Sequence, residues 1–230
     1  MPVLLDLKVE FTADDVLRGQ GADPAVLRTR SSRLVSAAEK AVGEAQALIH
    51  PTVIYKELDV NAFQHRQVSL SDGGILRGDL IGERLAGSKR VALVACTISN
   101  DLGERVSQLL SDKMVDALAL DGAGNAAVEA LARSTCRWLD ERAAARGWET
   151  TTPLNPGMQG WPVEEGQAQI FNSLRAESDQ ISLNAGLLME PLKSLSFIVG
   201  MGSGVLNSGS PCDFCVLKGN CRYQNQHAKH

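Results

Sequence analysis

Three of the five cysteines in this 230-residue chain lie close together near its end. Cys212 and Cys215 form a C-x2-C pair, and Cys221 follows six residues after the second of them. A C-x2-C pair lets two thiolates reach one metal from a tight turn, and a third cysteine closes a small chelate loop. Because thiolates favour soft or borderline ions, the spacing predicts a metal centre held by Cys212, Cys215 and Cys221, an iron–sulfur cluster first and a structural zinc as the alternative.

The fourth ligand of such a centre stays open. Cys96, Cys136, His227, an external thiol or a partner protein could supply it, and His227 would complete a Cys₃His zinc site. Cys96 and Cys136 are expected to be small buried side chains, because free cysteine is among the most buried residue types. The alternative to a metal centre is a set of free or exchangeable thiols on a frayed tail.

No familiar catalytic motif accompanies the cysteines. The sequence has no G-x-S-x-G and no H-E-x-x-H, and His50 and His65 stand isolated. The glycine-rich residues 200–204 lack the lysine and helix of a P-loop, and residues 122–124 lack the third glycine of a dinucleotide fingerprint. We therefore predict packing turns at both places, and nothing in the motifs indicates a hydrolase.

Composition limits the class of protein further. The chain is 44% hydrophobic and 22% charged, with a net charge of −4 and a pI near 5.6. These values indicate a globular chain and argue against nucleic-acid or membrane partners, and the start lacks the pattern of a secretory signal. We expect a cytoplasmic protein with one domain over residues 1–207 and a cysteine-rich, metal-binding tail over residues 208–230.

Hydrophobic periodicity predicts an alternation of strands and helices that would position the tail. Strands are predicted at residues 5–11, 52–58, 67–70, 91–97, 115–120 and 194–199. Helices are predicted at residues 31–48, 79–85, 102–110, 126–146 and 163–174. Residues 71–74 and 121–125 read as turns, although an apolar run such as 115–120 can equally be the end of a helix.

The least regular stretch is residues 150–162, which carries three prolines and two glycines. This composition is typical of a shaped, preformed loop, and Pro162 suits the first position of the helix that follows. Trp161 within it offers a flat apolar face, or alternatively a core anchor for that helix.

Several of these segments, taken in their order and spacing, resemble the reactivation (activation) domain of vitamin B12-dependent methionine synthase, in the stand-alone form found beside corrinoid methyltransferases. The resemblance covers residues 11–223, nearly the whole chain. It is carried by Phe-Thr-Ala-Asp-Asp-Val-Leu-Arg at 11–18, His50-Pro51, Ala95–Ser99, Leu118–Glu129, Asn155–Pro162, Met189–Ser196 and the closing cysteines.

The resemblance implies an α+β fold with a curved, mainly antiparallel sheet and packed helices. It also implies a groove that receives S-adenosylmethionine and the corrinoid of a partner, whose inactive cobalt(II) is returned to use by one-electron reduction coupled to methylation. The expected cofactor-binding residues are Asn155, Pro156, Gly157, Met158, Gly160 and Trp161.

Three positions depart from the family pattern. Pro153 and Met158 stand where the family has an arginine and a tyrosine, and Asn184-Ala185-Gly186 replaces a Thr-Glu-Ser triplet on a later strand. A carboxylate-binding guanidinium and an aromatic face are thus absent, so weak or absent S-adenosylmethionine binding is predicted.

The sequence therefore predicts an accessory or reactivation protein for a corrinoid (vitamin B12)-dependent methyltransferase such as methionine synthase. Electrons would pass from a reductant protein through the tail cluster to the cobalt of a partner. The alternative is a non-enzymatic module that docks on a corrinoid protein and carries a structural zinc, and whether the chain is itself an enzyme stays open. An ordinary S-adenosylmethionine methyltransferase is disfavoured, because no strand, glycine loop and helix with a following acidic residue is readable.

Overall fold

The computed structural model describes residues 3–4, 6–174, 180–216 and 218. The helices are α1 (Ala13–Gly19), α2 (Pro24–Arg30), α3 (Ser32–Leu48), α4 (Asp79–Arg84), α5 (Asp101–Leu109), α6 (Met114–Ala144) and α7 (Val163–Leu174). The strands are β1 (Val3–Leu4), β2 (Thr52–Gln64), β3 (Gln67–Leu70), β4 (Ile75–Arg77), β5 (Arg90–Thr97), β6 (Glu149–Thr150), β7 (Ser182–Leu183), β8 (Met189–Glu190) and β9 (Ser194–Gly202).

Seven of the strands form one antiparallel sheet in the order β4-β3-β2-β5-β9-β6, with β1 added beside β2. The central β5 pairs along its whole length with β2 and β9, which explains why its sequence is apolar without alternation. Strands β7 and β8 form a separate hairpin. The predicted α+β fold with a mainly antiparallel sheet is confirmed.

Each face of the sheet carries its own core because side chains alternate along a strand. Val94 and Phe197 point to the side covered by α1, α3, α5 and α6, whereas Leu93 and Ile198 point to the side covered by α4, α7 and the loop before α7. No helix in the described part of the chain is long and apolar enough to cross a membrane.

The predicted strand over residues 115–120 and the turn over 121–125 are wrong, because both lie inside the 31-residue helix α6. The two glycines in this segment favour a turn, but in the structure each one allows a neighbouring helix to pack closely against α6. A β-carbon on Gly122 would lie 2.8 Å from the carbonyl oxygen of Val16 on α1, and one on Gly124 would lie 2.9 Å from Leu102 on α5. Helix packing overrides the weak propensity of glycine.

The predicted strand over residues 5–11 is also wrong for residues 6–11, which have no regular structure. Leu7 and Val9 still pack against the core, and the Lys8 carbonyl accepts a hydrogen bond of 2.6 Å from the Ser134 hydroxyl on α6. The segment therefore lies along a helix instead of pairing with the sheet. The packing turn predicted over residues 200–204 is wrong for residues 200–202, which continue β9 and pair with β5 and β6. The other predicted helices and strands are present, and β2 continues to Gln64 with a bulge near Val60.

Candidate functional site

A groove of about 1010 Å³ opens between the sheet, helix α6, the loop after β6 and the C-terminal segment, which we define as residues 206–216. Its lining combines apolar side chains of β9, polar side chains of α6 and backbone from both loops. The lining residues are Glu129, Ala132, Arg133, Cys136, Asp140, Glu149–Pro153, Asn155–Met158, Leu195, Phe197, Val199, Asn207–Cys212, Cys215 and Val216.

The floor of the groove is apolar and the α6 wall is polar. Leu195, Phe197 and Val199 alternate along β9, so all three side chains lie on the same face of the sheet. On α6, Glu129 and Arg133 are four residues apart and therefore share one face of the helix. Neither makes a salt bridge or a side-chain hydrogen bond with another described residue, so both are available to a ligand.

Three consecutive threonines fasten the loop that closes the groove. Thr150 donates a hydrogen bond of 2.6 Å to Asp140 on α6, and the Thr151 hydroxyl accepts one of 2.9 Å from the backbone N–H of Gly200 on β9. Thr152 donates to the carbonyl oxygen of Gly209 at 3.1 Å, which ties the loop to the C-terminal segment. The loop is held on three sides, as expected of a preformed binding wall.

Four of the six predicted cofactor-binding residues line the groove: Asn155, Pro156, Gly157 and Met158. The Asn155 amide donates to the carbonyl oxygen of Ser196 at 3.4 Å, and the backbone N–H of Asn155 donates to the Met158 sulfur at the same distance. Gly157 has a φ of +96°, a conformation that favours glycine. Ligand binding by these residues stays a prediction.

Gly160 and Trp161, the other two predicted residues, do not line the groove. Trp161 is fully buried in the core on the α4 and α7 side of the sheet, and its indole N–H donates to the side chain of Gln169 at 3.3 Å. The flat face predicted for a macrocycle is therefore covered, and Trp161 is the core anchor of the alternative reading. The Gly160 carbonyl accepts from the backbone N–H of Asp79, which joins the loop to α4.

One sequence signal could have located Trp161 in the core. Gly166 occupies the first turns of α7, where a β-carbon would lie 2.9 Å from the Trp161 ring. A glycine at that place in a helix indicates a large neighbour, because glycine otherwise weakens the helix. The pair Trp161 and Gly166 thus reports packing between the loop and α7.

The predicted metal ligands fall partly outside the described residues. Cys212 lies in a 3-10 helix over Pro211–Phe214, and Cys215 follows that helix directly. Both are half-buried, and both line the groove. Two thiols presented by one tight turn fit the start of a thiolate metal site. Cys221 and His227 lie outside the described residues, and the described part of the chain contains no group of three metal-ligating side chains.

The turn that carries the two thiols is closed by Asp213. Its carboxylate accepts hydrogen bonds from the backbone N–H and hydroxyl of Ser210, at 2.7 and 3.1 Å. The backbone hydrogen bond from Ser210, together with Lys218, holds the pKa of Asp213 below its usual value. The turn that presents Cys212 and Cys215 therefore has its own hydrogen-bonded closure.

The two remaining cysteines have different surroundings. Cys96 is fully buried in β5, as predicted, and its burial raises the pKa of its thiol. Cys136 is partly exposed on α6 and lines the groove, which the sequence did not predict. Desolvation raises the pKa of Cys136 to about 12, so its thiol is protonated at neutral pH.

The positions that depart from the family pattern lie in two places. Pro153 and Met158 both line the groove, so these two changes alter the chemistry of its wall. Asn184-Ala185-Gly186 is not on a strand but in the turn between β7 and β8, where the Asn184 side chain accepts hydrogen bonds from the backbone N–H groups of Gly186 and Leu188.

The domain boundary predicted at residue 208 stays a prediction. Residues on both sides of it contact the rest of the chain. The backbone N–H of Gln159 donates to the carbonyl oxygen of Phe214 at 2.9 Å, and Met158 pairs with Cys215 in an isolated bridge. The described part of the tail thus lies on the loop that closes the groove.

No protein-family model and no curated protein matches the sequence. Among solved structures, the crystal structure of the MetH reactivation domain bound to AdoHcy is similar to this chain with a TM-score of 0.59. The match covers 87% of this chain and 78% of that chain, at 13% sequence identity. At this identity the likeness is one of fold, and it confirms the resemblance seen in the sequence at that level. The chain has the fold of the MetH reactivation domain.

Proposed function

We propose that this protein is an accessory protein that reactivates a corrinoid-dependent methyltransferase. The observation that carries the proposal is the groove of about 1010 Å³ in a chain with the fold of the MetH reactivation domain. Residues 149–153 and 155–158 form one wall of it, together with Cys212 and Cys215. The groove is at the upper end of the size of small-molecule sites, which suits part of a large cofactor presented by a partner.

The chemistry of the lining supports a ligand with an apolar face and polar edges. The β9 floor supplies Leu195, Phe197 and Val199, whereas α6 supplies Glu129 and Arg133. A corrin ring with amide side chains has this combination of surfaces. Because the loop is already fastened by Thr150, Thr151 and Thr152, little ordering is required on binding.

The reaction proposed for the partner's cobalt is a one-electron reduction from cobalt(II) to cobalt(I). The electron comes from a reductant protein. Transfer of a methyl group from a sulfonium donor such as S-adenosylmethionine to cobalt(I), which releases the donor as its thioether, then removes the product of an unfavourable equilibrium. An iron–sulfur cluster held by Cys212, Cys215 and Cys221 would supply one-electron transfer at the groove wall. The turn over Pro211–Phe214 presents two of these thiols to the groove.

The experiment measures the cobalt(II) signal of a purified corrinoid methyltransferase from the same organism by electron paramagnetic resonance. The methyltransferase is incubated anaerobically with reduced flavodoxin and S-adenosylmethionine, with and without this protein. The concentration of S-adenosylmethionine is set high enough to saturate even a weak site. We expect this protein to accelerate loss of the signal. Leu195→Trp, which fills the groove from its floor, should abolish the acceleration.

Leu188→Trp is the matched control, because Leu188 is 56% exposed on the β7–β8 turn and does not line the groove. This variant should accelerate loss of the signal as the wild type does. Equal rates with and without the wild-type protein would contradict the proposal. Tight association without acceleration would instead favour the docking module with a structural zinc.

A further inference from the structure

Arg84, the last residue of α4, is a buried arginine with an unusual set of partners. It is 5% exposed, and its Nη2 group donates hydrogen bonds to the carbonyl oxygens of Leu206 and Ser208, at 3.2 and 2.5 Å. Its guanidinium carbon lies 4.5 Å from the centroid of the Phe214 ring. All three of these partners belong to the C-terminal segment, residues 206–216.

No carboxylate among the described residues pairs with this charge. The Nε group of Arg84 is buried and has no hydrogen-bond partner in that part of the chain. A buried charge is costly unless it is hydrogen-bonded, and carbonyl oxygens and an aromatic face are the compensation present here. The buried position of Arg84 and the docked position of the C-terminal segment therefore depend on each other.

The contact extends from Arg84 to the groove through Phe214. The ring of Phe214 is partly buried against the core on the α4 and α7 side of the sheet. The backbone carbonyl oxygen of Phe214 accepts a hydrogen bond of 2.9 Å from the backbone N–H of Gln159. Cys215 follows and pairs with Met158, while Cys212 lies two residues before Phe214. Movement of Phe214 would displace both cysteines from the groove wall.

We propose that Arg84 is the positioning residue for the cysteine wall of the groove: it docks residues 206–216 and so fixes Cys215 beside Met158 and Cys212 in the groove lining. The use of that wall in reactivation rests on the proposed function. The docking itself does not, and it is measured on this chain alone.

The test compares the alkylation rates of individual cysteines in the folded, metal-free full-length protein, followed by mass spectrometry after iodoacetamide treatment. Arg84→Met keeps roughly the length of the side chain but removes the positive charge and the guanidinium hydrogen-bond donors. We expect Cys212 and Cys215 to react about 10- to 100-fold faster, the shift in local opening that follows from losing one or two charge-assisted hydrogen bonds. Cys96, buried in β5, should stay unreactive in the same sample.

Two further variants separate positioning from general destabilisation. Arg84→Lys keeps the charge and one hydrogen bond, so it should restore part of the protection. Arg66→Met is the matched control, because the Arg66 side chain is 64% exposed and pairs with Asp79 at the other end of α4. Within the described part of the chain, no hydrogen bond or ion pair joins the Arg66 side chain to the C-terminal segment. It should leave both alkylation rates unchanged.

If Arg84→Met does not fold, Phe214→Leu serves as the second variant, because it removes the ring under the guanidinium and leaves the two carbonyl contacts. Alkylation of Cys212 and Cys215 within about twofold of wild type in folded Arg84→Met, or in folded Phe214→Leu where Arg84→Met does not fold, would overturn the proposal. If the reactivation assay shows no effect while Cys212 and Cys215 of the wild-type protein are protected from alkylation as expected, only the proposed function is contradicted.

Discussion

Gly19 at the end of α1 and Gly122 on α6 meet backbone to backbone. A β-carbon on Gly19 would lie 2.4 Å from the carbonyl oxygen of Gly122, and the Asn125 side chain donates a hydrogen bond of 3.0 Å to the Gly19 carbonyl. The two helices can approach this closely only where one of them lacks a side chain. This contact fixes α6, which forms one wall of the groove.

Gly19→Ala should therefore destabilise the protein. The added methyl group meets backbone, which cannot rotate away, so we expect a loss of about 1–3 kcal/mol in the free energy of unfolding by urea denaturation. Gly43→Ala on α3 is the matched control. Nothing lies within 4 Å of a β-carbon there, so the substitution should stabilise the protein by about 0.5–1 kcal/mol. Equal effects of the two substitutions would contradict this account of the helix contact.

The same contact shows what the sequence could not reveal. The helical periodicity of residues 31–48 predicts a helix, and the continuous apolar run of residues 91–97 predicts a strand, because such patterns decide the structure locally. Both elements are present. The small residues at 121–125 predict a turn because small residues are typical of turns, and the helix α1 that packs on them lies about a hundred residues earlier in the chain. Glu129 and Arg133 were missed as groove residues because only the tertiary fold decides which face of α6 meets the groove.

Trp161 should behave as a core residue. In a protein with Trp138 and Trp148 replaced by Phe, the fluorescence of Trp161 should be quenched poorly by iodide, because its side chain is fully buried. Trp161→Ala should lower the free energy of unfolding by about 3–5 kcal/mol.

A protein that retains only the half-buried Trp148 is the control, and it should be quenched more strongly. Strong quenching of the folded protein that retains only Trp161 would show that its ring is accessible from the groove after all.

Glu57 should make stability depend on acid pH. Its side chain is 9% exposed and accepts hydrogen bonds of 2.9 Å from both Arg142 and Arg146. Burial alone would raise the pKa of Glu57, but these two hydrogen bonds hold it below its usual value. The contribution of the ionised Glu57 side chain to the free energy of unfolding is therefore fully present above a pH of about 4.3, the pKa of glutamate in the unfolded chain. It is lost as the pH falls through the lower pKa of Glu57 in the folded protein.

Glu57→Gln should reduce the free energy of unfolding by about 2–3 kcal/mol at neutral pH, because it removes the buried charge and one of the two oxygens that accept hydrogen bonds from arginine. The difference from wild type should shrink as the pH falls below about 4. Asp59→Asn is the control, because Asp59 is 61% exposed and its ion pair with Arg90 should contribute less than about 1 kcal/mol. A difference for Glu57→Gln that is constant with pH would contradict the assignment.

S-adenosylmethionine should bind weakly or not at all. Pro153 and Met158 occupy the groove wall where the family pattern has an arginine and a tyrosine. A lost charged hydrogen bond of about 1.5–3 kcal/mol and a lost aromatic contact of about 0.5–2 kcal/mol together weaken binding roughly 30- to several-thousand-fold. Isothermal titration calorimetry checks this directly.

Pro153→Arg should strengthen S-adenosylmethionine binding by about tenfold, through a restored charge-assisted hydrogen bond. Pro153→Gln is the control for loss of the proline ring, and it should not. Low-micromolar affinity of the wild type would show that another side chain, such as Arg133, replaces the missing arginine.

Cys212, Cys215 and Cys221 should share one metal centre. The turn over Pro211–Phe214 presents the first two thiols on one wall of the groove, in a chain with few other cysteines. Protein purified without oxygen should be brown and contain iron and acid-labile sulfide, or be colourless and contain zinc if the site is structural.

Cys212→Ser should lose the metal yet unfold with nearly the wild-type melting temperature, because Arg84 and Phe214 rather than Cys212 hold the segment to the domain. Cys96→Ala is the control, since Cys96 is fully buried in the sheet, and it should retain the metal. Anaerobic protein that is free of metal, with all three tail thiols open to alkylation, would rule the centre out.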